Sequence, residues 1–144
     1  MTKDFKEAFE KTKIAGNIAA GALDEIGKII RPGISTDEID KISYEYINDH
    51  KAFSAPLFYR GFPKSCCTSP NHVVCHGVPS DKVLKTGDIL NVDVTALKDG
   101  WHGDTSRMFK IGEVSIKAEK LINVTYEAMM KAISIVKHGV NLGD

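Results

Sequence analysis

Apolar side chains recur every three or four residues in the first third of the chain, which is the spacing of an amphipathic helix. One such segment runs from about Asp4 to Ile30, and Pro32-Gly33 ends it. Ser35 and Glu38 then form a capping box that begins a second helix, predicted to continue to about Asn48. The apolar positions of the first helix are Phe5, Ala8, Phe9, Ala15, Ile18, Ala22, Ile26 and Ile29.

The pattern changes to strict alternation between Ile89 and Leu97, which predicts a β-strand. Asp99-Gly100 follows, a dipeptide typical of a two-residue hairpin turn whose positions both need positive φ. If that turn joins two strands, Thr95 faces Asp104 and Asp93 faces Ser106. Asp93 and Asp104 then lie on one face of the hairpin as diagonal neighbours.

A pair of neighbouring aspartates has to be stabilised in some way. Two carboxylates about 5 Å apart repel by about 3 kcal/mol at an effective dielectric constant near 20. Either one of them has a raised pKa, or a cation lies between them, as in a two-metal hydrolytic site. An exposed pair on a solvated sheet face is the alternative, since aspartate is common at such positions.

Between the helices and the hairpin lies an irregular stretch, residues 52–69, rich in aromatic residues and proline. Its apolar side chains form either a small satellite core or the wall of a pocket. His72–Cys75 is predicted to be a short strand that ends at His76, just before a Gly-Val-Pro turn. A structural zinc site is a weaker hypothesis for this region, because adjacent cysteines on an extended segment point to opposite faces. The residues it would use are Cys66, Cys67, His72, Cys75 and His76.

The residue pattern near the end of the chain repeats the pattern at the end of the first predicted helix. A third helix is predicted from Ser115 to Lys137. The segment Ile135–Asn141 matches Ile29–Ser35 as apolar, apolar, basic, any residue, glycine, apolar and cap. This match indicates either a duplicated half-domain or only the sequence features that helix ends share.

Length, composition and charge limit which classes of protein this chain can belong to. The chain has 144 residues, enough for one domain over residues 1–144, and its formal net charge is zero. A phosphate-backbone partner is therefore not expected, and no apolar run is long enough to cross a membrane. The charged N-terminus is unlike a signal peptide, and three cysteines fit reduced thiols in the cytoplasm.

Four motifs, in this order, give the chain a resemblance to the bacterial type I methionine aminopeptidases: Tyr59–Ser65, Val74–Pro79, Asn91–Val94 and Gly100–Ser106. The resemblance implies an α+β fold, the first half of a pita-bread (creatinase/aminopeptidase) fold in which helices back an antiparallel sheet. It also implies that the chain contains the first helix of the second half.

The resemblance further implies roles for individual residues. Asp93 and Asp104 would be ligands of two divalent metal ions, with Co, Mn, Fe, Zn and Ni all possible. His76 would be catalytic, binding the scissile amide and helping the tetrahedral intermediate. Thr95 would support the ligands from the same strand. The methionine pocket would be lined by Tyr59, Phe62, Cys67 and His76, and a monovalent cation would be held by the loop of Asn71 and Val73.

By the same resemblance, the activity would be metal-dependent removal of the initiator methionine from peptides and nascent proteins, near the ribosome, by a monomeric enzyme. The family's remaining ligands, one histidine and two glutamates, would lie beyond Asp144. The chain is therefore expected to be truncated and inactive alone. The alternatives are a non-catalytic pita-bread binding protein or inactive remnant, and a proline-specific peptidase of the same fold.

Overall fold

The computed structural model describes residues 3–143. The chain forms two compact units, Met1–Glu113 and Val114–Asp144. The expectation of one domain over residues 1–144 stays a prediction.

From residue 3 onward, the first unit contains two α-helices, four strands and a short 3-10 helix, Tyr59–Gly61. Its helices are α1 (Lys3–Ile29) and α2 (Thr36–Asp49). Its strands are β1 (Phe53–Ser54), β2 (Cys67–Pro70), β3 (Ile89–Lys98) and β4 (Trp101–Lys110). The second unit contains α3 (Ile116–Ile135). All three predicted helices are confirmed to within a few residues at each end.

The sheet is antiparallel and is organised around β3. Strand β4 pairs with one edge of β3 along its whole length. The other edge carries β1 beside Ala96 and Leu97, and β2 beside residues 90–93. The chain therefore leaves this edge after β1 and returns to it at β2. Residues 55–66 form the loop between them.

The predicted hairpin is confirmed together with its register. Thr95 faces Asp104, and Asp93 faces Ser106. Asp99 and Gly100 both have positive φ, 50° and 85°, as a primed two-residue turn requires. The capping box of α2 is also present: the Glu38 N–H donates to the Ser35 side chain, and the Ser35 N–H donates to the Glu38 carboxylate at 2.8 Å.

The predicted strand His72–Cys75 is wrong, because residues 71–79 have no regular secondary structure. Asn71 turns the chain with a φ of 52°, and Val74 is 93% exposed, so its side chain does not face a core. The strand in this region is β2 instead. Its ends are a cysteine and a proline, and all four of its residues are buried through pairing with β3.

The core lies between α1 and the sheet. The inward side chains of β3 are completely buried: Leu90, Val92, Val94 and Ala96. They pack with small and branched side chains of α1, including Ala19, Ala22, Leu23 and Ile26. The closest approach is at Gly103 of β4, where an added Cβ would come nearer than 3.0 Å to backbone atoms of Ala15 and Gly16. A glycine at this position therefore lets β4 lie directly on α1.

The second unit is a capped helix and its C-terminal turn. The Ser115 side chain accepts a hydrogen bond from the Ala118 N–H at the start of α3. Gly139 has a φ of 90° and follows the helix end at the same distance as Gly33, with a φ of 95°, follows the end of α1. The matching glycines agree with the sequence repeat. No helix within residues 3–143 combines the length and apolar character needed to span a bilayer.

Candidate functional site

Four polar side chains lie on the face of the β3–β4 hairpin that points away from α1. Asp93 and Thr95 come from β3, and His102 and Asp104 come from β4. Thr95 is directly opposite Asp104, while Asp93 is opposite Ser106. Because side chains alternate along a strand, the burial of Val92, Val94 and Ala96 on one face places this polar set on the other.

Asp93 and Asp104 interact through their carboxyl groups. Burial raises the pKa of Asp93, and the neighbouring charge of Asp104 and a side-chain hydrogen bond with it raise this pKa further. His76 acts in the opposite direction. These are the effects expected when two acidic groups share one site.

The loop between β1 and β2 stands beside this acidic pair. It leaves β1 with the Ala55 N–H donating to the Thr95 carbonyl at 2.9 Å, and it returns at Cys67, opposite Asp93. The loop, the sheet and the segment of His76 and Val78 border an open cavity of about 800 Å³. The cavity is lined by Ala55, Pro56, Tyr59, Arg60, Gly61, Phe62, Pro63, Cys67, His76, Val78, Asp93, Thr95, His102 and Asp104.

Residues 59–63 of the loop form one wall of the cavity, and the backbone at and just before this cavity wall is unusual. Phe58, Arg60 and Gly61 all have positive φ, 67°, 48° and 84°. For the two residues that are not glycine this conformation is strained, and such residues persist only where their surroundings hold them. The Arg60 guanidinium lies 5.5 Å from the centre of the Tyr59 ring, within cation–π range.

His76 reaches the cavity through a close backbone contact. It has a φ of 54°, and the next residue is Gly77. The Thr68 N–H donates to the Gly77 carbonyl at 2.8 Å, and the Gly77 N–H donates to the Ser69 hydroxyl at 3.1 Å. A Cβ on Gly77 would come nearer than 3.0 Å to the Thr68 carbonyl oxygen, so only glycine allows this approach.

The two adjacent cysteines differ in their surroundings. Burial, reinforced by the nearby Asp93 carboxyl, raises the pKa of Cys67 to about 11. The thiol is therefore protonated at neutral pH and presents sulfur as an apolar surface to the cavity. Cys66 is completely buried, and burial also raises its pKa well above the usual range. Cys75 is exposed.

Seven of the nine residues predicted for the site line the one cavity: Tyr59, Phe62, Cys67, His76, Asp93, Thr95 and Asp104. Asn71 and Val73 do not. Asn71 instead donates from Nδ2 to Asp88 at 2.9 Å and accepts the Ile89 N–H at 3.1 Å. The Val73 N–H donates to the Pro70 carbonyl.

Sequence reasoning did not single out Arg60, His102 or Val78, which also line the cavity. His102 had a detectable signal, because it lies two residues before Asp104 on a predicted strand and so shares its face. Arg60 and Val78 lie in irregular segments, where no periodicity indicates which side chains meet.

Within residues 3–143, no group of three or more histidine, cysteine, aspartate or glutamate residues is arranged to hold a metal ion. Asp93 and Asp104 nevertheless form a fitting part of such a site. Their oxygens suit divalent cations, and a cation would offset the burial and the charge of Asp104 that together raise the pKa of Asp93.

Comparison with known proteins places these features in one family. The model of Metallopeptidase family M24 matches residues 10–144. The methionine aminopeptidase of Rickettsia prowazekii (strain Madrid E) is 54% identical over 136 residues, which are 94% of this chain and 52% of that protein. The methionine aminopeptidase of Escherichia coli (strain K12) is 51% identical over 138 residues, covering 94% of this chain and 52% of that protein.

The fold agrees as well. The crystal structure of methionine aminopeptidase from Rickettsia prowazekii superposes with a TM-score of 0.94 at 52% identity, covering 96% of this chain and 56% of that one. The chain thus has the α+β architecture of the first half of the pita-bread fold. It spans about half the length of the curated relatives it matches.

Proposed function

The chain belongs to metallopeptidase family M24, and we propose that the protein is a metal-dependent methionine aminopeptidase. In this proposal it removes the initiator methionine from peptides and nascent polypeptides in the cytoplasm, as a monomer acting near the ribosome. No nucleic-acid or membrane partner is part of the proposal.

One observation carries the proposal. The paired carboxyls of Asp93 and Asp104 face the same cavity as Tyr59, Phe62, Cys67 and His76. An aminopeptidase for methionine needs a cation-binding group and an apolar pocket next to each other, because the scissile bond follows the residue whose side chain is recognised. Here the two lie on opposite edges of one strand, β3.

The apolar side of the cavity would bind the methionine side chain. Tyr59 and Phe62 offer aromatic rings, and Cys67 offers a protonated sulfur. A methionine thioether makes favourable contacts with aromatic edges and fits a pocket of irregular shape. This wall would also displace water from the bond to be cleaved.

His76 would act on the scissile peptide group. Its backbone is fixed in a left-handed conformation by the approach of Gly77 to Thr68, so its ring is held at the cavity rather than on a free loop. From there an imidazole N–H can donate a hydrogen bond to the peptide group as charge develops during cleavage.

Asp93 and Asp104 would bind two divalent ions, with Thr95 beside them on the same strand. When bound, such ions supply Lewis-acid activation of water and of the peptide carbonyl. We further propose that the segment of Asn71 and Val73 holds a monovalent cation, although Asn71 would first have to release Asp88 or Ile89.

A chimera tests the activity. It joins residues 1–144 to the remaining half of the Escherichia coli relative, and methionine release from Met-Ala-Ser is measured with Mn²⁺ or Co²⁺. We expect turnover with Met-Ala-Ser and little with Gly-Ala-Ser. In the chimera, Asp93→Asn and Asp104→Asn should each abolish turnover, because a neutral amide does not balance the cations.

His76→Ala separates catalysis from metal binding in the same chimera. It should retain the bound metal and lower kcat by roughly 10²–10⁴. Loss of metal from this variant would make His76 a ligand. An inactive chimera that still folds and binds both ions would contradict the proposal and favour a non-catalytic binding protein.

A further inference from the structure

The strained loop that carries the cavity wall is not held in place by burial of its aromatic side chains. Phe58 is 75% exposed and Tyr59 is 64% exposed, and neither anchors the loop in the core. Its internal hydrogen bonds are short-range, such as the Phe58 N–H to the Phe62 carbonyl at 2.8 Å and the Phe62 N–H to the Tyr59 carbonyl at 2.9 Å. Something outside the loop must fix its position.

Two aspartates of α2 supply that attachment. One oxygen of Asp40, Oδ1, accepts the Ser65 N–H at 2.8 Å, the Ser65 hydroxyl at 2.6 Å and the Cys66 N–H at 3.1 Å. The Cys66 thiol lies 3.7 Å from the same oxygen. One turn earlier on α2, Asp37 forms an ion pair with Lys64 at 2.6 Å.

The attached residues 64–66 lie between the wall and the sheet. Immediately before them are Tyr59–Pro63, which line the cavity, and immediately after them is Cys67, which pairs with Asp93. Ser65 and Cys66 are buried, so water cannot replace Asp40 as the acceptor for their backbone N–H groups without opening the structure. The Asp37–Lys64 pair is only half-buried and is more easily replaced by solvent.

We infer that Asp40 is a positioning residue, whose carboxylate oxygen, through the attached residues 64–66, fixes the cavity wall of residues 59–63 relative to the Asp93–Asp104 pair. It touches neither the cavity nor the acidic pair and acts through Ser65 and Cys66. The consequence for methionine recognition rests on the proposed function, whereas the positional role does not.

The buried Cys66 thiol reports on this attachment. Because burial and then the nearby Asp40 carboxylate raise the pKa of Cys66, alkylation is measured over a range of pH and compared with amide exchange, which does not depend on this pKa. In the 144-residue chain, alkylation of Cys66 and Cys75 is followed by mass spectrometry, with the exposed Cys75 as internal reference. Asp40→Ala should accelerate alkylation of Cys66 about tenfold or more, the change that loss of one hydrogen bond to a charged acceptor produces. Amide exchange of residues 59–66 should rise in parallel.

Matched variants separate position from overall stability. Asp40→Asn keeps an acceptor oxygen and should restore most of the protection of Cys66. Asp24→Ala removes another helix aspartate, the partner of Arg107 at 2.9 Å, and should leave Cys66 unchanged. Urea unfolding of each variant shows whether Cys66 opens more than the loss of global stability explains. Wild-type alkylation and exchange in Asp40→Ala would overturn the inference.

If Asp40→Ala does not fold, Ser65→Ala replaces it, because it removes only the hydroxyl donor to Asp40. Faster alkylation of Cys66 in this variant supports the inference, and an unchanged rate overturns it.

Binding measurements test the consequence for recognition. In the chimera with the Escherichia coli half, Asp40→Ala should weaken Met-Ala-Ser binding and leave Zn²⁺ affinity unchanged, because the β3–β4 hairpin holds Asp93 and Asp104 together. Equal losses of both affinities would show general destabilisation and contradict a positioning role. If the wild-type chimera binds no Met-Ala-Ser, the proposed function loses support, while the alkylation and exchange results still decide the role of Asp40.

Discussion

Two glycines that touch each other should respond to alanine in opposite ways. A Cβ on Gly103 would come nearer than 3.0 Å to the Gly16 nitrogen and Cα and to the Ala15 carbonyl carbon. These are backbone atoms of a helix and cannot rotate away. A Cβ on Gly16, by contrast, would meet nothing within 4 Å.

The expected magnitudes follow from that difference. Overpacking a core costs about 1–3 kcal/mol, occasionally more, and rigid backbone on both sides puts Gly103→Ala at about 3 kcal/mol. Gly16→Ala should instead raise the free energy of unfolding by about 0.5–1 kcal/mol, because alanine is favoured over glycine inside a helix. Asp104 follows Gly103 directly, so we also expect Gly103→Ala to weaken metal binding, and Gly16→Ala to leave it unchanged.

Urea unfolding of the 144-residue chain measures both effects. The only tryptophan, Trp101, lies on the same strand as Gly103, and circular dichroism gives an independent signal. A loss of about 3 kcal/mol with a slope near 2 kcal/mol/M lowers the midpoint by about 1.5 M. A cost below about 1 kcal/mol for Gly103→Ala, or any clear destabilisation by Gly16→Ala, would refute the close approach of α1 and β4 on which this reasoning depends.

Three further outcomes are expected. Asp104→Asn should raise metal-free stability by up to about 1 kcal/mol, because it removes an exposed like charge. We expect Mn²⁺ to raise the Tm of the wild type and not that of Asp104→Asn, and an equal response in both would contradict the proposed metal site. Burial alone would raise the pKa of Asp88, but hydrogen bonds led by the one from Asn71 hold this pKa below its usual range, so the stabilisation is present at neutral pH and lost in acid. Urea titrations of Asn71→Ala should therefore show a stability deficit at pH 7 that shrinks toward pH 2, and a constant deficit would refute the linkage. Gly77→Ala should destabilise by about 1–3 kcal/mol because its Cβ meets the Thr68 carbonyl, and chemical shifts of the His76 ring should report its displacement.

The sequence was most informative where structure is local. The β3–β4 hairpin depends on alternation and on a two-residue turn, both of which are visible in consecutive residues. The position of the turn sets the register of the hairpin, and this register places Asp93 and Asp104 on the same face. The capping box at Ser35 was predictable for the same reason, because both of its partners lie within one turn.

Sequence reasoning failed where partners are distant. Strand β2 has no apolar alternation, and its burial comes from pairing with residues that lie 20 to 26 positions later. Val73-Val74 looked more like a strand because β-branched residues favour strands, yet these residues have no neighbouring strand in the structure. Asp40 gave no signal either, since its partners Ser65 and Cys66 are 25 and 26 residues away.

Strand β3 lies between the acidic pair and the cavity wall, and its position explains how both features form close together. Its β4 edge brings Asp104 to Asp93, while its other edge receives β1 and β2 with the cavity wall between them. Asp93 therefore takes part in the acidic pair and also forms the ladder partner of Cys67 at the cavity. A substitution on the wall can change the shape of the pocket without moving the acidic pair, because the β4 edge is held independently by the hairpin turn and by the packing of Gly103 on α1. If the proposed function is right, this independence would allow affinity for the methionine side chain and affinity for a metal ion to be varied separately.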